Sequence, residues 1–329
     1  MSGERDKQRS ADLVGGTQLL LLLQSVPHIG EKALLRLIAG SAQRRLTAEE
    51  ILSLSATQLQ DELELDPRAA AYLSTHREAL LQSSAETART LRAYPIEVVS
   101  CAGASYPVRM ERWADIPPPV VYALGNRALL NISTANPVGL PPRWFTFTIA
   151  ASRKASAASL KLIDELATDL AVLGGVPVTG HDRPEYQRLA LAAQRKNLST
   201  VYVFDRGLRE ALGPQFDKPP FAAARIRDVE FDLNRDLALS PYKLDDHCIG
   251  ANNRRRDSIV FALSDLVIAA DVRSEGAMLE ETLRAFEQGK PVFTVDGGRE
   301  GSKLLIERGV PALPAIDAVV GMVRGFVAA

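Results

Sequence analysis

The stretch Gly250–Gly289 leaves few folds open; it reads GANNRRRDSIVFALSDLVIAADVRSEGAMLEETLRAFEQG. Arg254, Arg255 and Arg256 open a helical pattern that carries Ile259, Val260, Phe261 and Leu263. Ser264-Asp265 leads into LVIAA, a short apolar run of the kind buried in a parallel sheet. Ser274-Glu275-Gly276-Ala277 then opens a second helix, with its inner face expected at Leu279, Leu283 and Phe286 and its stop at Gly289. Helix, strand, small-residue turn and helix in this order belong in an open α/β sheet. The turn beyond a strand's carboxyl end gathers free helix N–H groups there, and so attracts anions.

The remaining sequence is consistent with that frame. IEVVSC, VVYALGN, WFTFTIAASR, VPVTG, STVYVFDRG, RDLALSPY, LVIAA and PVFTVDGG are strand candidates, and most of them alternate with helical segments. This alternation predicts an α/β fold with a doubly wound, mostly parallel sheet. The chain before it is helical. Two short apolar helices flank Pro27-His28-Ile29-Gly30, Thr47 and Glu50 have capping-box spacing, and Pro67 opens a helix bearing Ala69, Tyr72, Leu73, His76 and Leu80. His76 is expected to be partly buried. The expected organisation is a loose tail over 1–16, a helical domain over 17–92, a sheet domain over 93–314 and a C-terminal helix over 315–329.

Composition narrows the function classes. The net charge is -1, so a polyanion site has to be a local patch. The two cysteines, Cys101 and Cys248, are far apart and fit a reducing compartment. They form no metal-type spacing with the four histidines. The apolar run Leu19–Leu23 is too short to span a bilayer and lacks signal-peptide flanks. A cytoplasmic protein without membrane association is expected. Neither GxGxxG nor GxxxxGK[ST] occurs, and no cofactor is expected.

Three predicted strand ends carry cations. Ser152, Arg153 and Lys154 follow the first strand of the alternating region. Gly180 and Arg183 follow the second, and Arg206 the third. With Arg254, Arg255 and Arg256 they form either one basic crevice or a set of scattered solvent-facing charges. The hairpin at Pro27–Gly30 is likewise either structural or a phosphate contact.

Tyr106-Pro107, Pro117-Pro118, Ala151-Ser152-Arg153 and Arg256–Asp265, in that order, make the chain from Tyr94 to about Leu313 resemble the DprA/Smf family of DNA-processing proteins. The lead-in YPIEVVSCAGASYPVRMERWADIPPPVVYALGN has that family's extended segment, Tyr-Pro, Pro-Pro and strand ending in Gly-Asn. Ala151-Ser152-Arg153 stands at its Gly-Ser-Arg, Leu239-Ser240-Pro241 near its Ser-Glu-x-Pro, and Arg256–Asp265 at its Arg-Asn-Arg block. Ser274–Ala277 stands at its Ser-Gly-Ser turn, and Phe286–Phe293 matches a helix-stop-strand block. The N-terminal part is similar to helix-hairpin-helix (SAM-like) domains, with His28 at a position where that hairpin has glycine. The sequence departs from the pattern at Ala151, Asp257, Ser258 and 181–184. An aspartate at 257 repels a phosphate if it faces the same crevice.

The resemblance implies a Rossmann-like fold of the SLOG-related type. It further implies non-catalytic binding of single-stranded DNA and loading of a RecA-type recombinase in recombination or natural transformation, with a homodimer possible. Ser152, Arg153 and Arg256 are the carried-over phosphate contacts, with Gly180 and Gly276 as close-approach positions. Lys154, Arg183, Arg206, Arg254 and Arg255 are added from charge placement. The opening stretch also resembles the Lonely Guy-type phosphoribohydrolases of nucleoside monophosphates, since Gly276 and Glu280 keep that family's glycine-to-glutamate spacing. In that alternative Glu280 is the catalytic residue, stabilising an oxocarbenium-like ribosyl centre or activating water. A nucleotide sensor without turnover is the third reading.

Overall fold

The computed structural model describes residues 16–44, 46–114, 117–131, 144–221, 224–227 and 229–328. The expected tail lies outside them except for Gly16, which opens the first helix. Two compact units are present. One takes the residues up to Tyr106 together with Ala114–Tyr122, the other Pro107–Trp113 and everything from Ala123 onward.

The first unit is helical: α1 (residues 16–25), α2 (Glu31–Arg44), α3 (Ala48–Ser53), α4 (Ala56–Leu63), α5 (Pro67–Thr75) and α6 (Arg77–Ala93), followed by strand β1 (Ile96–Ser100). Leu22, Leu23, Leu34, Leu37, Ile51 and Leu73 fill its core. Thr47 and Glu50 form the expected capping box, each side chain accepting from the other's backbone N–H at 3.2 and 2.7 Å. Such a cap contributes about 1 kcal/mol. In the hairpin before α2 the left-handed residue is His28, at φ 67°. A glycine there would carry no Cβ penalty, which accounts for the glycine of the similar pattern. His76 differs from expectation. It is exposed, lies in the break between α5 and α6, and stacks on Tyr72 with ring centroids 4.0 Å apart.

The second unit adds α7 (Val108–Trp113), the end of β2 (Val120–Gly125), β3 (Phe145–Ala151), α8 (Ala157–Val172), β4 (Gly175–Thr179), α9 (Pro184–Gln194), β5 (Val201–Val203), α10 (Leu208–Leu212) and β6 (Leu237–Ser240). Then follow α11 (Gly250–Leu263), β7 (Leu266–Asp271), α12 (Ala277–Glu287), β8 (Val292–Thr294), α13 (Glu300–Glu307) and α14 (Ile316–Ala328). Within the second unit the strand order, starting from the end of β2, is β2-β6-β5-β4-β3-β7-β8. From β3 through β6 the chain builds outward on one side; it then returns past β3 to add β7 and β8 on the other. All pairings from β6 across to β8 are parallel. The reversal of direction between β3 and β7 is a topological switch point, where α/β sheets open a crevice for ligands.

β3 is buried along its whole length, as a central parallel strand must be. Phe145, Phe147 and Ile149 point into one cluster with Ile163, Leu170, Leu189, Ile268, Phe293 and Val323. Each such side chain stabilises the fold by about 1.5–3 kcal/mol relative to an exposed one.

Two elements differ from the sequence expectation. Between the Tyr-Pro and the Pro-Pro, where no helix is expected from the sequence, α7 occupies Val108–Trp113. It is held by Arg109, which donates to Thr146 Oγ1 (2.9 Å), the Leu263 carbonyl (2.6 Å) and Asp265 Oδ1 (2.8 Å). Trp113 Nε1 adds bonds to Ser258 Oγ (2.9 Å) and Glu281 Oε2 (3.1 Å). The fully buried stripe of α12 is Met278, Glu281, Thr282 and Ala285, with Leu279, Leu283 and Phe286 only half-buried. Glu281 tolerates burial because Trp113 donates to it and Arg284 lies 3.4 Å away.

Candidate nucleic-acid interface

The carboxyl ends of β3 and β7 are tied together. Ser152 N–H donates to the Asp271 carbonyl (2.7 Å), and Ser152 Oγ accepts from Arg273 N–H (3.0 Å). The following turn is pinned by carboxylates of its own chain. Ala155 N–H donates to Glu185 Oε1 (3.0 Å), and Ser156 N–H to Asp271 Oδ2 (3.4 Å). Arg299 reaches the same turn, with Nε 2.6 Å from Asp271 Oδ1 and a bond to the Lys154 carbonyl. The turn's shape is therefore set without any ligand.

Above this junction lies a cleft of about 310 Å³. Ser152 and Arg153 contribute from β3, Arg273, Glu275 and Gly276 from the β7–α12 turn, and Gly250, Asn253, Arg254 and Asp257 from the first half of α11. Arg183, Ala277, Met278 and Glu280 complete it. The amino-terminal ends of α11 and α12 both open on it, at Gly250 and Ala277. Gly276 caps α12 with φ 97°, a conformation open to glycine and strained for other residues. Arg153 is exposed and, among the described residues, its guanidinium has no partner. Arg183 is 8 % exposed, and its buried Nε has no hydrogen-bond partner. Arg254 spans from α11 to α12 and pairs with Glu280.

Behind the cleft is a buried ionic network. Arg256 has 0 % exposure. Its Nε donates to Asp257 Oδ1 (2.7 Å), one terminal nitrogen to Asp182 Oδ1 (2.7 Å) and the other to Asn253 Oδ1 (3.1 Å). Its guanidinium lies 4.8 Å from the Tyr186 ring centre, and that of Arg183 lies 4.1 Å away. Asp257 also accepts from the Tyr186 hydroxyl and from Arg183 at 3.5 Å. Asp257 is thus enclosed by two arginines and a hydroxyl, so its charge is offset within the fold. Burial and the neighbouring Asp257 push the Tyr186 hydroxyl up, so it stays a donor. Burial pulls Asp182 upward, but the charge and hydrogen bond of Arg256 outweigh it and hold the carboxyl below its usual value. Asp205 follows the same pattern: burial is overcome by His181, at 3.1 Å, and by Arg206, at 2.9 Å.

The predicted residues therefore separate. Ser152, Arg153, Arg183, Arg254, Gly276 and Glu280 meet at the cleft. Arg256 lies wholly beneath it, and Arg206 is engaged with Asp205. Lys154 (exposed, φ 63°) and Arg255 (half-buried) are not among the lining residues. Gly180 is a close-approach position, but what approaches is protein: a Cβ there would sit 2.7 Å from an Arg256 terminal nitrogen and 2.7 Å from the Tyr186 ring. The residue missed in the sequence is Arg273. Its place directly after β7 was a readable signal, identical in kind to that of Arg153 after β3. Among the described residues no group of three His, Cys, Asp or Glu is placed to hold a metal ion, and no helix is long and apolar enough to cross a membrane.

A family model described as DNA recombination-mediator protein A matches residues 97–323. Among solved structures, DNA processing protein A from Streptococcus pneumoniae is similar, with 19% identity, a TM-score of 0.58, and coverage of 84% of this chain and 98% of that one. DNA processing protein A from Helicobacter pylori, whose structure concerns its single-stranded DNA binding mode, has 19% identity and a TM-score of 0.52, covering 70% of this chain and 95% of that one. A molybdenum cofactor binding protein from Rippkaea orientalis matches at 16% identity and a TM-score of 0.39, over 57% of this chain and 99% of that one. No curated protein matches the chain.

Proposed function

The chain belongs to the DNA recombination-mediator protein A family, and from that premise we propose that it binds single-stranded DNA without catalysis, its backbone phosphates entering the cleft between β3 and β7. The observation carrying this reading is the convergence of Arg153, Arg183, Arg254 and Arg273 with two helix N-termini at the sheet's switch point. A cationic groove that tracks phosphates gives sequence-tolerant, salt-sensitive binding. Arg153 and Arg273 are the direct contacts in this proposal. Arg256 is a positioning residue, because it holds Asp257 and the first turn of α9 while exposing no surface of its own. Fluorescence anisotropy with a labelled oligothymidylate tests the assignment: Arg153→Glu weakens binding severalfold, and unchanged affinity in the folded variant refutes it.

The family relationship supports three further parts of the proposal: delivery of the strand to a RecA-type recombinase, self-association into a homodimer, and action in the cytoplasm. Recombinase filament formation on coated single strands, with and without this protein, tests the first. A second reading, turnover of a nucleoside monophosphate, is favoured by one observation, that Glu280 lines the cleft one turn into α12. Release of free base that Glu280→Gln abolishes would establish it.

A further inference from the structure

The cleft is more acidic than a phosphate site needs to be. Its four arginines, Arg153, Arg183, Arg254 and Arg273, face three carboxylates, Asp257, Glu275 and Glu280, which leaves one net positive charge. Two of the arginines are already paired with carboxylates, and Arg273 donates to the Arg153 carbonyl (3.0 Å). Arg183 lies 3.5 Å from Asp257, and Arg254 is paired with Glu280 across the gap from α11 to α12. Asp257 is buried and belongs to the network beneath. Glu280 is different: its side chain is 51% exposed, and its only described partner is Arg254. It therefore places a negative charge at the mouth of the cleft with no packing role that demands it.

We propose, resting on the single-strand reading above, that Glu280 is a specificity-determining residue that restricts the cleft to phosphodiesters and disfavours phosphomonoesters. An internal linkage of a strand carries one negative charge. A terminal phosphate or free nucleotide carries about 1.5 to 2 near pH 7, since its second pKa is about 6. Glu280 offsets part of the attraction that the arginines and the two helix N-termini exert on either ligand, and its repulsion grows with the ligand's charge. A phosphodiester displaces Glu280 from Arg254 at low cost, because a half-exposed surface ion pair is weak. A dianion meets roughly twice the repulsion from the same carboxylate.

The expected effect follows from Coulomb's law. Removing a unit charge about 6 Å from the ligand in a water-like medium strengthens binding of a monoanion about threefold and of a dianion about tenfold. The experiment compares wild type with Glu280→Gln, using a 5′-hydroxyl oligothymidylate followed by anisotropy and thymidine 5′-monophosphate followed by calorimetry. The proposal expects the variant to gain about tenfold for the monophosphate and about threefold for the oligonucleotide. It is overturned if both gains are equal, if neither occurs, or if the folded variant shows no measurable monophosphate binding. Arg153→Glu run in parallel separates the two levels. If that reversal weakens the oligonucleotide while Glu280→Gln leaves the ratio of the two affinities unchanged, only the role of Glu280 is lost. If the reversal has no effect, the single-strand reading fails and the proposal with it.

Discussion

Replacing Gly180 by alanine tests how rigidly the floor of the cleft is built. The added Cβ would lie 2.7 Å from an Arg256 terminal nitrogen and 2.7 and 2.8 Å from two Tyr186 ring carbons. Ordinary carbon contacts begin near 3.5 Å, so the overlap is roughly 0.7 Å on two sides. Arg256 has no exposed surface to retreat toward, and the same nitrogen holds Asp182 at 2.7 Å. Overpacking of this kind costs about 1–3 kcal/mol. Weakening a charge-assisted hydrogen bond adds about 1.5–3 kcal/mol. The expected loss is therefore about 3–5 kcal/mol in guanidinium unfolding, with a weaker affinity for single strands because Arg183 and Asp257 shift with the network. Gly250→Ala is the control. Gly250 also lines the cleft, but nothing lies within 4 Å of its Cβ position, and the change should stay within about 0.5 kcal/mol of wild type. A Gly180→Ala protein as stable as that control would show that Arg256 and Tyr186 are not fixed as described.

Two predictions concern the rest of the second unit. Arg109→Met leaves Asp265, 3% exposed at its side chain, without its ion-pair partner, and the expected cost by the same unfolding assay is about 3–5 kcal/mol; a loss under about 1 kcal/mol contradicts the anchoring of α7. Asp182 and Asp205 both have carboxyls held below their ordinary values. Their unfolded counterparts titrate near pH 4, so the stability they contribute is fully present above that pH and is lost as the pH falls through the lower folded values. The denaturation midpoint should drop on acidification below about pH 4, with a shallower drop in Asp205→Asn; identical profiles refute the assignment.

The layout of the sheet was readable because its strands are short apolar runs with polar turns, and because Gly276 and Gly289 both take the positive φ that glycine allows. The three strand-end cations were also legible, since a turn after a parallel strand always opens at the same edge. The burial of Arg256 was not. Asp182, Asn253 and Asp257 come from two segments far apart in sequence, and no local pattern announces that an arginine in a run of three will face inward. Asp257 looked like a repulsive charge for the same reason. Glu281 breaks the apolar stripe of α12 because its partner Trp113 lies on a helix too short, Val108–Trp113, to show a helical period. His76 was misplaced because a tyrosine four residues earlier suggests a buried face, whereas His76 is exposed and stacks on a Tyr72 that is only half-buried.

The most direct test of the central claim is the salt dependence of single-strand binding in an Arg153→Glu/Arg273→Glu variant. Both side chains line the cleft and are exposed, so the fold should survive their reversal. Each phosphate contact removed flattens the slope of log affinity against log salt by about 0.7 for a single strand. The expected result is at least about a tenfold loss of oligothymidylate affinity at moderate salt, together with a slope shallower by roughly 0.7–1.4. A folded double variant with wild-type affinity and wild-type slope would place the DNA somewhere other than this cleft.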